Sequence, residues 1–466
     1  MKMWKKALGL VLALVSLMIL SGGGLAESVT CDGVTLTGDP LTKGVNYTFD
    51  ESTHLLTIKT AGKYTLSGTA SSNDFRVRVG DSLVTTLTID NLTINTNNGK
   101  YIDGYSPLDF SDAGATTLIL VGANQLTARG NNPAVFAPWV DSGENNTTAI
   151  PLTIRGDGSL VAQGGYAWSG IGNNGSARIC IEGGDITAKG GGNAAGIGGS
   201  WGFWFDSIAI EGGRVVATGG AGANNDIGCG YLYGTEGAGN GTNRKHAISI
   251  EGGVVEAERI YEDTNENTLK KTGGILVQNG EYTVLGDTKL TTNLTIPKGK
   301  TLTVPNGKTI TIEKNGKLEI ENGATLEIKD GAKLYVDGTV KGNITGKIYY
   351  KLNYDLDGGE WKSYKPEAYY LSGTGLDLPT KENLNKAGYH FLGWKDETTG
   401  EAVEKIPANA TGIKSVVAQW EKVVPTATPV PDASSLPKTG DASAPMAWCA
   451  LGLACLAGLA AMKRRK

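Results

Sequence analysis

Glu182, Glu211 and Glu251 are each followed by Gly-Gly, and their recurrence at intervals of 29 and 40 residues would set three carboxylates in a column if the chain between them folds into repeated turns. Carboxylates stacked one turn apart repel unless water screens them or a hard cation bridges them, and Ca²⁺ takes oxygen ligands of this kind. The column stands either as solvated turn residues or as a Ca²⁺ site, and both readings stay open. A second set is aromatic. Tyr166 and Trp168, the loop Trp201-Gly202-Phe203-Trp204-Phe205-Asp206, and the string Tyr231-Leu232-Tyr233 lie beside the strings Gly170-Ile171-Gly172, Gly196-Ile197-Gly198 and Asp226-Ile227-Gly228. Aromatic faces can stack on the apolar faces of sugar rings, and ligand sites combine such surfaces with a few placed polar groups. On that reading Tyr166, Trp168, Trp201, Phe203, Trp204, Tyr231 and Tyr233 are the ligand-binding residues. On the other, the same rings fold back as a local hydrophobic cover.

Catalysis asks for more. A lyase or glycosidase needs two carboxylates at a defined separation, or a base beside a charge-neutralising group. Asp157, Asp185, Asp206 and Asp226 are scattered over non-equivalent turn positions, so no catalytic residue is assigned and the chain is expected not to be an enzyme. A polysaccharide lyase or hydrolase is the alternative. GxSxG and P-loop signatures are absent, and the many Gly-x-Gly strings follow from the repeat. The histidines, at 54, 246 and 390, form no HExxH or His-Cys cluster, which argues against zinc. Cys449 and Cys455 fall in an apolar C-terminal stretch; Cys31, Cys180 and Cys229 remain, too odd and sparse a set for a disulfide framework. A net charge of −4 gives no basic footprint for nucleic acid.

The elements that would position these residues are short strands. Glycine supplies 68 of the 466 residues, much of it in pairs that punctuate apolar triplets. The triplets Leu56-Thr57-Ile58, Leu87-Thr88-Ile89, Leu118-Ile119-Leu120, Leu152-Thr153-Ile154, Ile179-Cys180-Ile181, Ile208-Ala209-Ile210 and Ile248-Ser249-Ile250 read as equivalent strands. A second series, Ser159 to Ala162, Asp185 to Ala188, Arg214 to Ala217 and Val254 to Ala257, follows the later ones, and the Gly-Ile-Gly strings make a third. Three short strands per repeat predict a parallel β-helix, because one repeat cannot bury its apolar side while stacking buries Ile on Ile. Leu294, Leu302, Ile310, Leu318, Leu326 and Leu334 then recur every eight residues, each with an aliphatic partner two places on. That spacing is a strand period and excludes a coiled coil, predicting a thinner solenoid.

The C-terminal pentapeptide Leu436-Pro437-Lys438-Thr439-Gly440, the apolar stretch from Ala444 to Met462 and the run Lys463-Arg464-Arg465-Lys466 together resemble the cell-wall sorting signal of Gram-positive surface proteins. The resemblance implies a sortase that cuts between Thr439 and Gly440 and joins Thr439 to peptidoglycan; about 18 to 20 apolar residues suffice to cross a bilayer ahead of a basic cluster. Lys2, Lys5 and Lys6 before an apolar run, then Gly24-Leu25-Ala26, predict a cleaved export signal. Tyr354-Asp355-Leu356-Asp357-Gly358-Gly359, Gly388-Tyr389-His390-Phe391-Leu392-Gly393-Trp394 and Val417-Ala418-Gln419-Trp420 resemble the internalin B-type repeat, which implies a small β-grasp-like module with Phe391, Trp394 and Trp420 in its core. The Gly-rich repeats of about residues 30 to 260 resemble the β-helix and carbohydrate-binding domains of exported Gram-positive chains.

The expected order is therefore a signal peptide (1–26), a parallel β-helix (27–275), a short-period β-solenoid stalk (276–346), the internalin B-type module (347–421), a Pro/Thr-rich wall linker (422–435) and the sorting signal with its transmembrane helix (436–466). The whole is all-β outside its cleaved and membrane segments. The expected function is a sortase-anchored adhesin or carbohydrate-display protein on the cell surface, with a polysaccharide or a host or neighbouring-cell surface as partner; a purely structural stalk is a further alternative.

Overall fold

The computed structural model describes residues 26–96, 105–141, 147–232, 246–263, 266 and 268–424; the proposed signal peptide and sorting signal, with Leu436 to Gly440, and Tyr233 lie outside them. Every regular element among the described residues is a β-strand, so the fold is all-β.

Strands pair in parallel with strands one turn of chain further on, in three ladders. The first runs through Gly62–Thr69, Thr85–Thr96, Thr116–Val121, Pro151–Gly156, Arg178–Ile181, Ser207–Ile210, Ala247–Glu256 and Leu269–Gln278. The second joins the later half of Thr85–Thr96 to Ala123–Ala128, Ser159–Gln163, Asp185–Lys189, Arg214–Thr218 and the later half of Ala247–Glu256. The third joins Leu55–Ile58, Arg76–Val79, Leu108–Asp109, Val135–Phe136, Ile171–Asn173, Ile197–Gly199 and Ile227–Gly228. Along most strands of the first two ladders buried aliphatic residues alternate with exposed or half-buried ones: Leu87, Ile89, Leu118, Leu120, Ile154 and Ile210 are fully buried between outward Thr, Ile and Ala.

Two details of the expected stacking differ. Leu56-Thr57-Ile58 belongs to the third ladder, opposite Val77 and Val79, and the first-ladder neighbours of Leu87 and Ile89 are Tyr64 and Leu66. Leu152 lies opposite Thr116 and Ile154 opposite Leu118, a slip of two residues from the triplet alignment. Both follow from the strand period: a shift of two keeps every side chain on its own face, so alternation alone fixes neither register nor ladder.

The Gly-Gly corners have a steric cause. A Cβ on Gly212, Gly252 or Gly273 would come closer than 3.0 Å to the carbonyl oxygen of Glu182, Glu211 or Glu251 in the preceding turn. The second glycine of each pair has left-handed φ, +74° at Gly213, +69° at Gly253 and +85° at Gly274.

At Leu269–Gln278 the chain changes region within one sheet. Glu281–Val284 folds back antiparallel on Leu269–Gln278 and then pairs in parallel with Thr301–Val304. Val255 and Leu276 face the first core, whereas their neighbours Val254, Ile275 and Val277 face a second one with Leu302, Ile310 and Leu318. These two strands form a wall buried on both faces. In the second region Leu294 pairs with Leu318, Leu302 with Leu326 and Ile310 with Leu334, each 24 residues apart, so three eight-residue units complete one turn. Partner separation then contracts to 22 (Leu318 with Val340), 18 (Leu326 with Ile344) and 14 (Leu334 with Ile348).

A second shared strand leads into the C-terminal module. Ile348–Asp355 pairs through Ile348 and Tyr350 with Leu334 and Val336, and through Leu352 and Tyr354 with Lys414 and Val416. Lys414–Lys422 in turn pairs antiparallel with Tyr389–Asp396. Trp394 is buried and donates its indole N–H to the Pro379 carbonyl at 2.6 Å. Phe391 and Trp420 are half-buried against that core, and Trp420 donates to the Leu356 carbonyl at 2.9 Å.

Candidate ligand-binding face

The third-ladder strands are only two to four residues long, so the chain leaves them at once into loops, and those loops meet. The Trp201 N–H donates to the Ala167 carbonyl at 2.9 Å, and the Gly202 N–H donates to the Tyr231 carbonyl at 2.8 Å. The Tyr231 N–H donates to the Asn193 carbonyl at 2.6 Å. Main-chain bonds thus hold the loops of Tyr166, Trp201 and Tyr231 side by side across successive turns. All three rings are exposed, Tyr166 by 67%, Trp201 by 39% and Tyr231 by 38%. A fixed backbone under exposed rings suits flat, partly apolar ligands, because little loop entropy remains to be lost on binding.

The other aromatic residues divide from these. Trp168 is half-buried, its ring 5.9 Å from that of Phe136 on the preceding turn. Phe203 lies over Gly175. Trp204 stacks on His246 at 4.6 Å and meets Tyr261 edge-on at 5.8 Å, while the fully buried Phe205 touches the same two rings. Trp204 is therefore cover for the core, as the fold-back alternative has it, whereas Tyr166, Trp201 and Tyr231 face solvent. Phe136, His246 and Tyr261 are additions that the repeat pattern does not flag: Phe136 stands where the later turns have glycine, and His246 and Tyr261 occupy no recurring position.

The glutamate column is real in its backbone, each Glu following its predecessor one turn on, and all three residues are exposed. Its side chains make a different set. Cys180, Glu182 and Glu211 bring one ligand atom each within 4.8 Å of one another, and Glu251 lies outside that trio. The Cys180 thiol is 3.5 Å from Glu211 Oε1, and Arg155 approaches Glu182 at 4.0 Å. Burial, then repulsion from Glu211, Glu182 and Glu251, pushes the Cys180 thiol up to about 12. A protonated thiol is a poor ligand for a hard cation. The donor set does not suit Ca²⁺, and Arg155 already supplies local positive charge.

Asp226, by contrast, is a structural clamp. Its side chain is 4% exposed, accepting from the N–H groups of Gly219, Glu258 and Arg259 at 2.8, 2.9 and 2.8 Å and from the Arg259 guanidinium at 2.8 Å. Burial alone would raise its pKa, but these donors together hold the carboxyl below its ordinary value. It pins the corner at Gly219 to the following turn at Glu258 and Arg259.

No family model, curated protein or solved structure matches the chain.

Proposed function

We propose that this chain is an exported, sortase-anchored surface protein whose first region is a parallel β-helix that binds carbohydrate through Tyr166, Trp201 and Tyr231. The observation that carries the reading is the set of three exposed aromatic residues on neighbouring loops tied by main-chain bonds. The three parallel ladders support the β-helix, and the 24-residue pairing supports a thinner coil of the same kind behind it. At their junction the strand direction reverses while the interior passes to the opposite face of the shared wall. The two changes cancel, so both coils wind in the same sense. The thin coil and the C-terminal module act as stalk, with Thr439 as the point of attachment to peptidoglycan. The reading assigns no catalytic residue.

Cells displaying the full chain, tested for retention on a panel of immobilised polysaccharides, supply the test. Saturable retention on one polymer class is expected, weakened by Tyr166→Ala or Tyr231→Ala. No retention on any polymer would contradict the reading. Anchoring is tested separately: Thr439→Ala should leave the protein extractable without digestion of the wall.

A further inference from the structure

Resting on that reading, we propose that the binding face does not end at the aromatic loops but continues along the third ladder to Arg76 and Tyr105, and that its ligand is an extended neutral glycan lying along the stack of turns. The register carries the continuity. Phe136 pairs with Gly172 on one side and Asp109 on the other, and Asp109 pairs with Arg78, so one outward column runs Arg78, Asp109, Phe136, Gly172, Gly198, Gly228. Where the column is glycine it is buried, Gly172 and Gly198 against the carbonyls of Gly198 and Gly228 on the following turns and Gly228 against Tyr261. Where it is not, the strands themselves present side chains. Phe136 joins the halves, because its ring meets Trp168.

The far end is built for a polyhydroxyl ligand. The Arg76 guanidinium lies 3.6 Å from the ring centroid of Tyr105 and is fixed from below by the Thr53 carbonyl at 2.6 Å. Tyr105 stays 36% exposed, an aromatic platform stiffened from one side. Beside it Arg78 pairs with Asp112, and Asp109 accepts from the Ser111 N–H at 2.9 Å. Planar carboxylates and guanidinia in fixed positions offer both donors and acceptors to hydroxyl groups. Of the seven buried side-chain atoms without a hydrogen-bond partner among the described residues, five flank the strands of this ladder, Asp74 Oδ1, Ser106 Oγ, Ser169 Oγ, Asn174 Oδ1 and Ser176 Oγ; Thr85 Oγ1, on the first ladder, and Trp204 Nε1 are the others.

Charge selects the class. Arg76 and Arg78 are set against Asp74, Asp81, Asp109 and Asp112, an excess of acid that repels uronates and sulfates. Six strands at about 4.8 Å spacing span about 24 Å, the reach of a short oligosaccharide rather than one sugar.

The experiment titrates the full chain with neutral oligosaccharides of increasing length, drawn from the polymer that retains it, alongside their acidic counterparts. The expected result is affinity that climbs with length, with Tyr105→Ala and Arg78→Gln each costing several-fold on the longest member and nothing on the shortest. An unchanged unfolding midpoint in either variant assures that the fold is intact. Length-independent affinity, or a preference for acidic members, would overturn the extended face. Loss of binding on Trp201→Ala with none on either Tyr105→Ala or Arg78→Gln would overturn the extension alone and leave the aromatic face standing. No binding by any oligosaccharide would overturn both.

Discussion

In the first region one turn of chain takes from 21 residues, Ile248 to Leu269, to 40 residues, Ile208 to Ile248; in the second, a full turn takes 24 at three successive places. The paired corner glycines of the first region and the glycines on the eight-residue beat of the second do different work. At Gly212 glycine makes room, because the carbonyl of the preceding turn occupies the place of a Cβ. At Gly299 and Gly307 nothing stands within 4 Å, and glycine is there for its φ of +81° and +75°. The first region packs its turns backbone against backbone and spends its variable length on loops. The second passes from one ladder to the next every eight residues and has no loop long enough to carry a site. Function concentrates where the scaffold permits irregular loops.

Gly212→Ala sharpens the contrast most. It should cost about 3 kcal/mol by overpacking two backbones, and Gly212→Asn should be no better. Gly299→Ala should cost about 1 kcal/mol for its left-handed backbone, and Gly299→Asn less, since Asn tolerates that conformation. Urea unfolding of the four variants compares them; equal costs for the two asparagine variants would erase the distinction.

The shared wall gives the next effect. Leu276→Ser and Ile275→Ser should each cost about 3 kcal/mol as deletions from a packed core, yet on opposite sides. Hydrogen exchange should quicken around Ile248 and Val255 for the first and around Leu302 and Val304 for the second. Identical exchange maps would mean that the two cores are one.

Asp226→Asn should cost about 2 kcal/mol, by weakening hydrogen bonds to buried donors. Because the native carboxyl lies below its ordinary pKa, its contribution is complete above the unfolded value of about 3.9 and is lost as pH falls through the native one. The stability gap between wild type and Asp226→Asn should therefore narrow below about pH 4. A gap that persists in acid would assign Asp226 a packing role instead. The smallest effect is at Cys180, whose raised thiol should resist alkylation at pH 8 until the chain unfolds; rapid native-state labelling would contradict the account.

The legible part of this fold is what the backbone period dictates. Ile179-Cys180-Ile181 and Leu302-Thr303-Val304 announce strands with two buried ends, and the recurrence of such units announces stacking. The assignment of Leu56 to a ladder and the pairing of Leu152 were not legible, because a strand looks the same in any ladder and after a shift of two. The double-faced wall was hidden for a related reason: Val254-Val255 and Ile275-Leu276-Val277 are continuous apolar runs, and only the topology gives each residue its core. At the site, spacing located the aromatic loops but could not separate Trp201 from Trp204, three residues apart, one facing solvent and one stacked on His246.

That pair supplies the most direct test. Retention on the immobilised polysaccharide panel and the thermal midpoint are measured together for Trp201→Ala and Trp204→Ala in the full chain. Trp201→Ala should lose retention at an unchanged midpoint, while Trp204→Ala should lower the midpoint. Retention that survives Trp201→Ala would contradict the assignment of the binding face.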